Sequence, residues 1–137
     1  MIVDSSVWVD FLGLRPTAAA RSVRGFLATG GLIYLTTTVV QEVLQGARHQ
    51  AHFDSLARTL AKFPLCLPAD ACAAARNAAA LYARCRWHGV TIRSPNDCLI
   101  AALAIECGQP VLATDRDFRL LRNFDSRLQL VDVPDQA

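Results

Sequence analysis

Apolar residues fall into short continuous runs separated by longer amphipathic stretches. The short runs are Met1-Ile2-Val3, Leu32-Ile33-Tyr34-Leu35, Leu65-Cys66-Leu67, Val111-Leu112-Ala113 and Leu128-Gln129-Leu130-Val131. Runs this short predict strands, and the first, with no polar interruption before Asp4, predicts one buried on both faces. The stretches between them predict helices. Residues 5–12 form one, broken by Gly13 and Pro16, and Thr17 caps a second that stops at Gly30-Gly31. Thr36-Thr37-Thr38 opens a third through about Ala47, and a fourth over residues 50–62 is closed by Pro64. An Ala-rich helix runs from Asp70 to Trp87, another from Ser94-Pro95 to Cys107, and a short one starts at Thr114-Asp115. Strands alternating with helices predict an α/β fold, with a mostly parallel sheet of about five strands and helices on both faces.

The 137 residues carry no repeat, linker or low-complexity tract, which predicts one domain over 1–137. The composition, 53% hydrophobic and 19% charged, is that of a chain that packs a core. No window reads as a membrane span, and the apolar start is too short for a signal peptide, so the expected location is the cytoplasm. Five cysteines, odd in number and without a CxxC pair, are expected to be reduced core residues and neither disulfides nor zinc ligands. The net charge is only +2, yet thirteen of the fourteen basic residues are Arg. Arg forks suit phosphate. A compositional bias toward Ala and Arg explains the same count.

The acids carry more information. Asp4 and Asp115 each follow an apolar run directly, so both stand at carboxyl ends of strands, where open parallel sheets place their functional crevice. Both positions also suit helix caps. Glu42, one of only two Glu, belongs to a polar stripe with Thr38 and Gln45 that faces either water or the crevice. Ser94-x-x-Asp97 resembles a capping box, but the helix it opens is apolar nearly all round, which holds Asp97 near the sheet. Four carboxylates ~4 Å apart repel by ~1 kcal/mol per pair in water and ~4 kcal/mol at an effective dielectric near 20. Six pairs amount to ~6–24 kcal/mol, comparable with a domain's whole stability of ~5–15 kcal/mol. Such a cluster persists only if protonated, spread out or occupied by a cation, and oxygen ligands without His or Cys select Mg2+ or Mn2+.

The order M-I-V-D-S-S-V-W, a Glu after the second strand, S-P-N-D-C-L-I-A-A-L-A and T-D-R-D-F resembles the PIN domain, specifically the VapC-type toxins of toxin–antitoxin pairs. The resemblance implies a three-layer α/β/α fold and a Mg2+- or Mn2+-dependent endoribonuclease. It implies that Asp4, Glu42, Asp97 and Asp115 hold the metal, that Asp117 assists, and that Ser6 supplies a hydroxyl beside the site. It further implies a homodimer, an RNA substrate, and a small antitoxin that covers the site and inserts a basic side chain among the acids.

Arg93 and Arg116, each close in sequence to a site acid, are candidates for RNA phosphate contact, or else for solvation or neutralising the acids. Trp8 is expected in the core, and His49, His52 and His88 form no ligand or triad pattern. Two other readings remain. One is a non-catalytic RNA- or partner-binding module. The other is an aspartyl phosphotransfer domain, disfavoured because the single Lys, Lys62, sits away from the strand-end acids.

Overall fold

The computed structural model describes residues 1–134. Two strands form a regular ladder, β1 (Ile2–Val3) and β2 (Val111–Leu112), paired in parallel with Ile2 opposite Val111 and Val3 opposite Leu112. Three extended segments join them by single parallel bridges, Ile2 with Tyr34, Leu35 with Leu65, and Val111 with Leu130. The segments therefore lie in the order 65, 34–35, β1, β2, 130, all parallel. The expected five-stranded arrangement is present, although three of its members are bridges and not ladders. Proline accounts for part of this. Pro64 and Pro68 lack the N–H groups that would extend the Leu35–Leu65 pairing in either direction.

Seven helices complete the described chain: α1 (Ser5–Leu12), α2 (Ala18–Ala28), α3 (Thr37–Gln45), α4 (Gln50–Leu60), α5 (Ala71–Trp87), α6 (Pro95–Cys107) and α7 (Arg116–Phe124). Capping follows the sequence closely. The side chains of Thr17, Thr36, Asp70 and Asp115 accept amide hydrogen bonds at the starts of α2, α3, α5 and α7. Gly108, at φ +65°, closes α6 in the left-handed conformation that Gly adopts without a Cβ penalty.

Crossovers between parallel strands are right-handed. The chain first steps outward from β1 through α1–α4, then returns across β1 through α5 and α6, so the two helix groups cover opposite faces. The packing agrees: α1 contacts α2 and α3, α3 contacts α4, and α5, α6 and α7 contact one another. Ile2, Val3, Val111 and Leu112 are completely buried between these layers. Each such side chain contributes ~1.5–3 kcal/mol by leaving water. Trp8 joins the core as expected, edge-on to Phe11 and Phe63 at 5.8 and 4.9 Å between ring centroids.

The cysteines depart from expectation. Cys66 and Cys107 form a disulfide that ties the outer sheet segment to the end of α6, while Cys72, Cys85 and Cys98 are free. Spacing could not reveal this pair, because its partners are 41 residues apart and meet only when α6 packs over the sheet.

Candidate metal centre

Strand order reverses between β1 and β2, which makes their carboxyl ends the switch point of the sheet. Asp4 ends β1 and Asp115 follows β2, so the topology alone puts one carboxylate on each side of the crevice. α3 and α6 contact each other and bring Glu42 and Asp97 toward the same edge.

Asp4 holds the N-cap position of α1, yet its carboxylate makes no capping hydrogen bond. It accepts instead from the Ser6 hydroxyl at 2.8 Å. Burial pushes its pKa up from the ordinary value, opposed by the Ser6 hydroxyl and the Ser5 and Ser6 amides, and reinforced by Asp115. Asp97 is also buried. The capping box suggested by Ser94 does not form, since the Ser94 side chain makes no cap bond. Asp97 is pushed up to about 7, first by burial and then by the charges of Asp4, Asp115, Glu42 and Asp117.

Asp115 does both jobs open to it. Its Oδ1 caps α7 by accepting from the Asp117 amide at 2.9 Å and also takes the Arg93 guanidinium at 2.6 Å. Asp117 is fully buried and accepts from the Arg93 amide at 2.8 Å through Oδ2. Its Oδ1 has no hydrogen-bond partner among the described residues. Oxygens of Asp97, Asp115 and Asp117 lie within 4.8 Å of one another. Asp117, expected only to assist, is thus the most deeply buried acid of the group.

Glu42 flanks this trio from α3. It is raised first by burial and then by Asp4, with the Asn96 and Ser5 side chains opposing. Its Oε1 is buried without a partner. The polar stripe of α3 therefore turns Glu42 toward the crevice and not toward bulk water.

Arg93 follows the neutralising alternative. Its guanidinium spans Asp115 at 2.6 Å and Asp117 at 3.4 Å. Arg116 is exposed and reaches Asp117 Oδ1 only at 3.9 Å. His49 caps α4, His52 accepts from the Arg48 amide, and His88 bonds the Arg84 carbonyl, so none enters the crevice. Asn96 was missed by sequence reasoning. Its signal was its place beside Asp97 in S-P-N-D, where one turn of α6 presents two polar side chains at the crevice.

A hard divalent cation fits this group. All of its donors are carboxylate oxygens, and two of them, on Glu42 and Asp117, are buried and unsatisfied.

The PIN domain profile matches residues 1–123, in keeping with a switch-point crevice lined by carboxylates on a parallel α/β scaffold. "VapC ribonuclease Mb1587" of Mycobacterium bovis and "Ribonuclease VapC11" of Mycobacterium tuberculosis are each 34% identical to the chain over 122 residues, 88% of this chain and 90% of theirs. The chain belongs to the PIN-domain family, within its VapC group. The fold is shared with VapBC2 from Rickettsia felis, solved bound to a DNA fragment from their promoter, at TM-score 0.70 and 18% identity over 95% of this chain and 96% of that one. FitAcB from Neisseria gonorrhoeae matches at TM-score 0.63 and 18% identity, over 98% and 99% of the two chains.

Proposed function

We propose that this protein is a Mg2+- or Mn2+-dependent endoribonuclease and the toxin of a toxin–antitoxin pair. One observation carries the reading: Asp97, Asp115 and Asp117 bring carboxylate oxygens within 4.8 Å of one another, within the electrostatic reach of Asp4 and Glu42. The curated relatives are named ribonucleases, which supports the RNA substrate.

In this reading Asp4 and Asp97 anchor the principal ion, and Glu42 and Asp115 complete its shell or shape a second site. Asp117 assists them. Ser6 holds Asp4 in one orientation by donating to Oδ2. A bound divalent ion supplies charge stabilisation at the scissile phosphoryl group and activation of the attacking water. Arg93 keeps Asp115 and Asp117 in place, and Arg116, exposed at the entrance, remains the candidate for phosphate contact. The protein acts as a homodimer, and its antitoxin neutralises it by setting a basic side chain among the acids through charge-assisted hydrogen bonds.

The test expresses the wild type beside Asp4→Ala and Asp97→Asn and maps RNA ends in the cells. Cuts that vanish in both variants are the expected result, together with cleavage in vitro that chelator abolishes and Mn2+ restores. Cuts that survive both substitutions would remove the site from the reaction. Stoichiometric RNA binding without cleavage would favour a non-catalytic module.

A further inference from the structure

A cleft of about 690 Å3 opens beside the acidic crevice, between the start of α2, the length of α7 and the segment 130–134. Asp115 lines both spaces, so the cleft continues the crevice. Arg119 and Arg122 also line it, four and seven residues beyond Asp115 on the same face of α7. At 1.5 Å per residue they stand ~6 and ~10 Å further along the helix axis.

Both are exposed, and neither joins an ion pair among the described residues. The acids around them are mostly engaged. Asp10 pairs with Arg15 at 3.2 Å and Asp115 with Arg93, which leaves only Asp132 without an ion pair among the cleft's described acids. Two free guanidiniums, three residues apart on one helix face, make a track for a ligand with successive negative charges. Guanidinium forks bind phosphate in bidentate fashion. The cleft's volume lies in the range of small-ligand sites of ~300–1,000 Å3, room for a short stretch of a single strand.

We propose that Arg119 and Arg122 bind backbone phosphates of single-stranded RNA on one side of the scissile bond, an inference that rests on the ribonuclease reading above. The two residues hold substrate in register with the acids and take no part in the chemistry.

The test uses fluorescence anisotropy of a labelled single-stranded RNA in an Asp97→Asn background, where no cutting intervenes. Each phosphate contact to a single strand contributes ~0.7 to the slope of log affinity against log salt, so Arg119→Gln with Arg122→Gln should make the slope shallower by ~1.4. Affinity should fall roughly tenfold or more. The Arg119→Lys, Arg122→Lys pair, which keeps both charges, should retain the slope. A Lys pair whose slope falls as far as that of the Gln pair, although both charges are kept, would overturn the assignment. So would a Gln pair that binds RNA like its parent, while wild-type cleavage leaves the ribonuclease reading standing. If the parent binds no RNA and the wild type cuts none, the ribonuclease reading itself fails and takes this one with it.

Discussion

Asp97 is raised to about 7, first by burial and then by four neighbouring carboxylates. In the unfolded chain its carboxyl titrates near ~3.9. Between these values the folded protein keeps a proton that the unfolded chain has released, so in the absence of metal stability declines as pH rises from about 4 through about 7. Urea unfolding in chelator should therefore give a lower midpoint at pH 8 than at pH 5.5, and Asp97→Asn should flatten the difference. A proton and a cation compete for the same oxygens. Mn2+ affinity should accordingly climb across the same interval, measured by calorimetry, and a flat profile would mean that Asp97 does not bind the ion. Arg93 gives a second test. Its guanidinium lies 2.6 Å from Asp115 and adds positive charge where a cation would bind. Arg93→Gln should tighten Mn2+ binding at low salt, by less at high salt, while the Arg93 backbone amide still holds Asp117. Weaker binding would mean that the side chain's ordering of Asp115 and Asp117 outweighs its charge.

The disulfide acts on whole elements, fastening the outer sheet segment to the far end of the helix that carries Asp97. Closing a loop of 41 residues restricts the unfolded chain by about 4 kcal/mol in the chain-entropy picture. Reduction, or Cys66→Ser, should lower the melting temperature, and the count of thiols titrated in denaturant, where the buried Cys85 and Cys98 become accessible, should rise from three to five when the protein is reduced first. A count of five before reduction would remove the bond. This pairing marks the boundary of what the sequence discloses. The path from β1 through Asp4 into α1 was legible because an uninterrupted apolar run ends at a single acid, and α6 because an all-apolar helix can only be buried. The family pattern then singled out Glu42 over the solvent-facing alternative. Local signals of this kind end at contacts between distant segments. Arg93 meets acids 22 and 24 residues away, and Asp117 owes its complete burial to how α7 seats against α6. The strands were legible as apolar runs but not in length, because ladder pairing depends on neighbours that the runs do not name.

Across the whole molecule, the acidic crevice opposes folding while the core favours it. Asp4, Glu42 and Asp97 are all raised, with burial the largest cause in each, so the folded protein holds these groups in an environment that resists their charge. A ligand that binds only the folded state adds RT ln(1 + [L]/Kd), about 2.7 kcal/mol at a hundredfold excess over Kd. For a domain of this size each kcal/mol moves the melting temperature by roughly 2–8 °C. Saturating Mn2+ should therefore raise the melting temperature by several degrees and up to about 20 °C, more at pH 8 than at pH 5.5, because protonated oxygens bind the ion poorly. Ca2+ tests the chemistry of the donor set apart from cleavage, since it too takes oxygen ligands and should stabilise through the same acids. Asp4→Ala should reduce both shifts, although it relieves repulsion and on its own should leave the metal-free protein at least as stable. That opposite pair of signs, a variant no weaker without metal and much less responsive to it, separates a site built around a cation from acids that merely cap helices. Capping acids would lose stability on substitution and show no dependence on the ion.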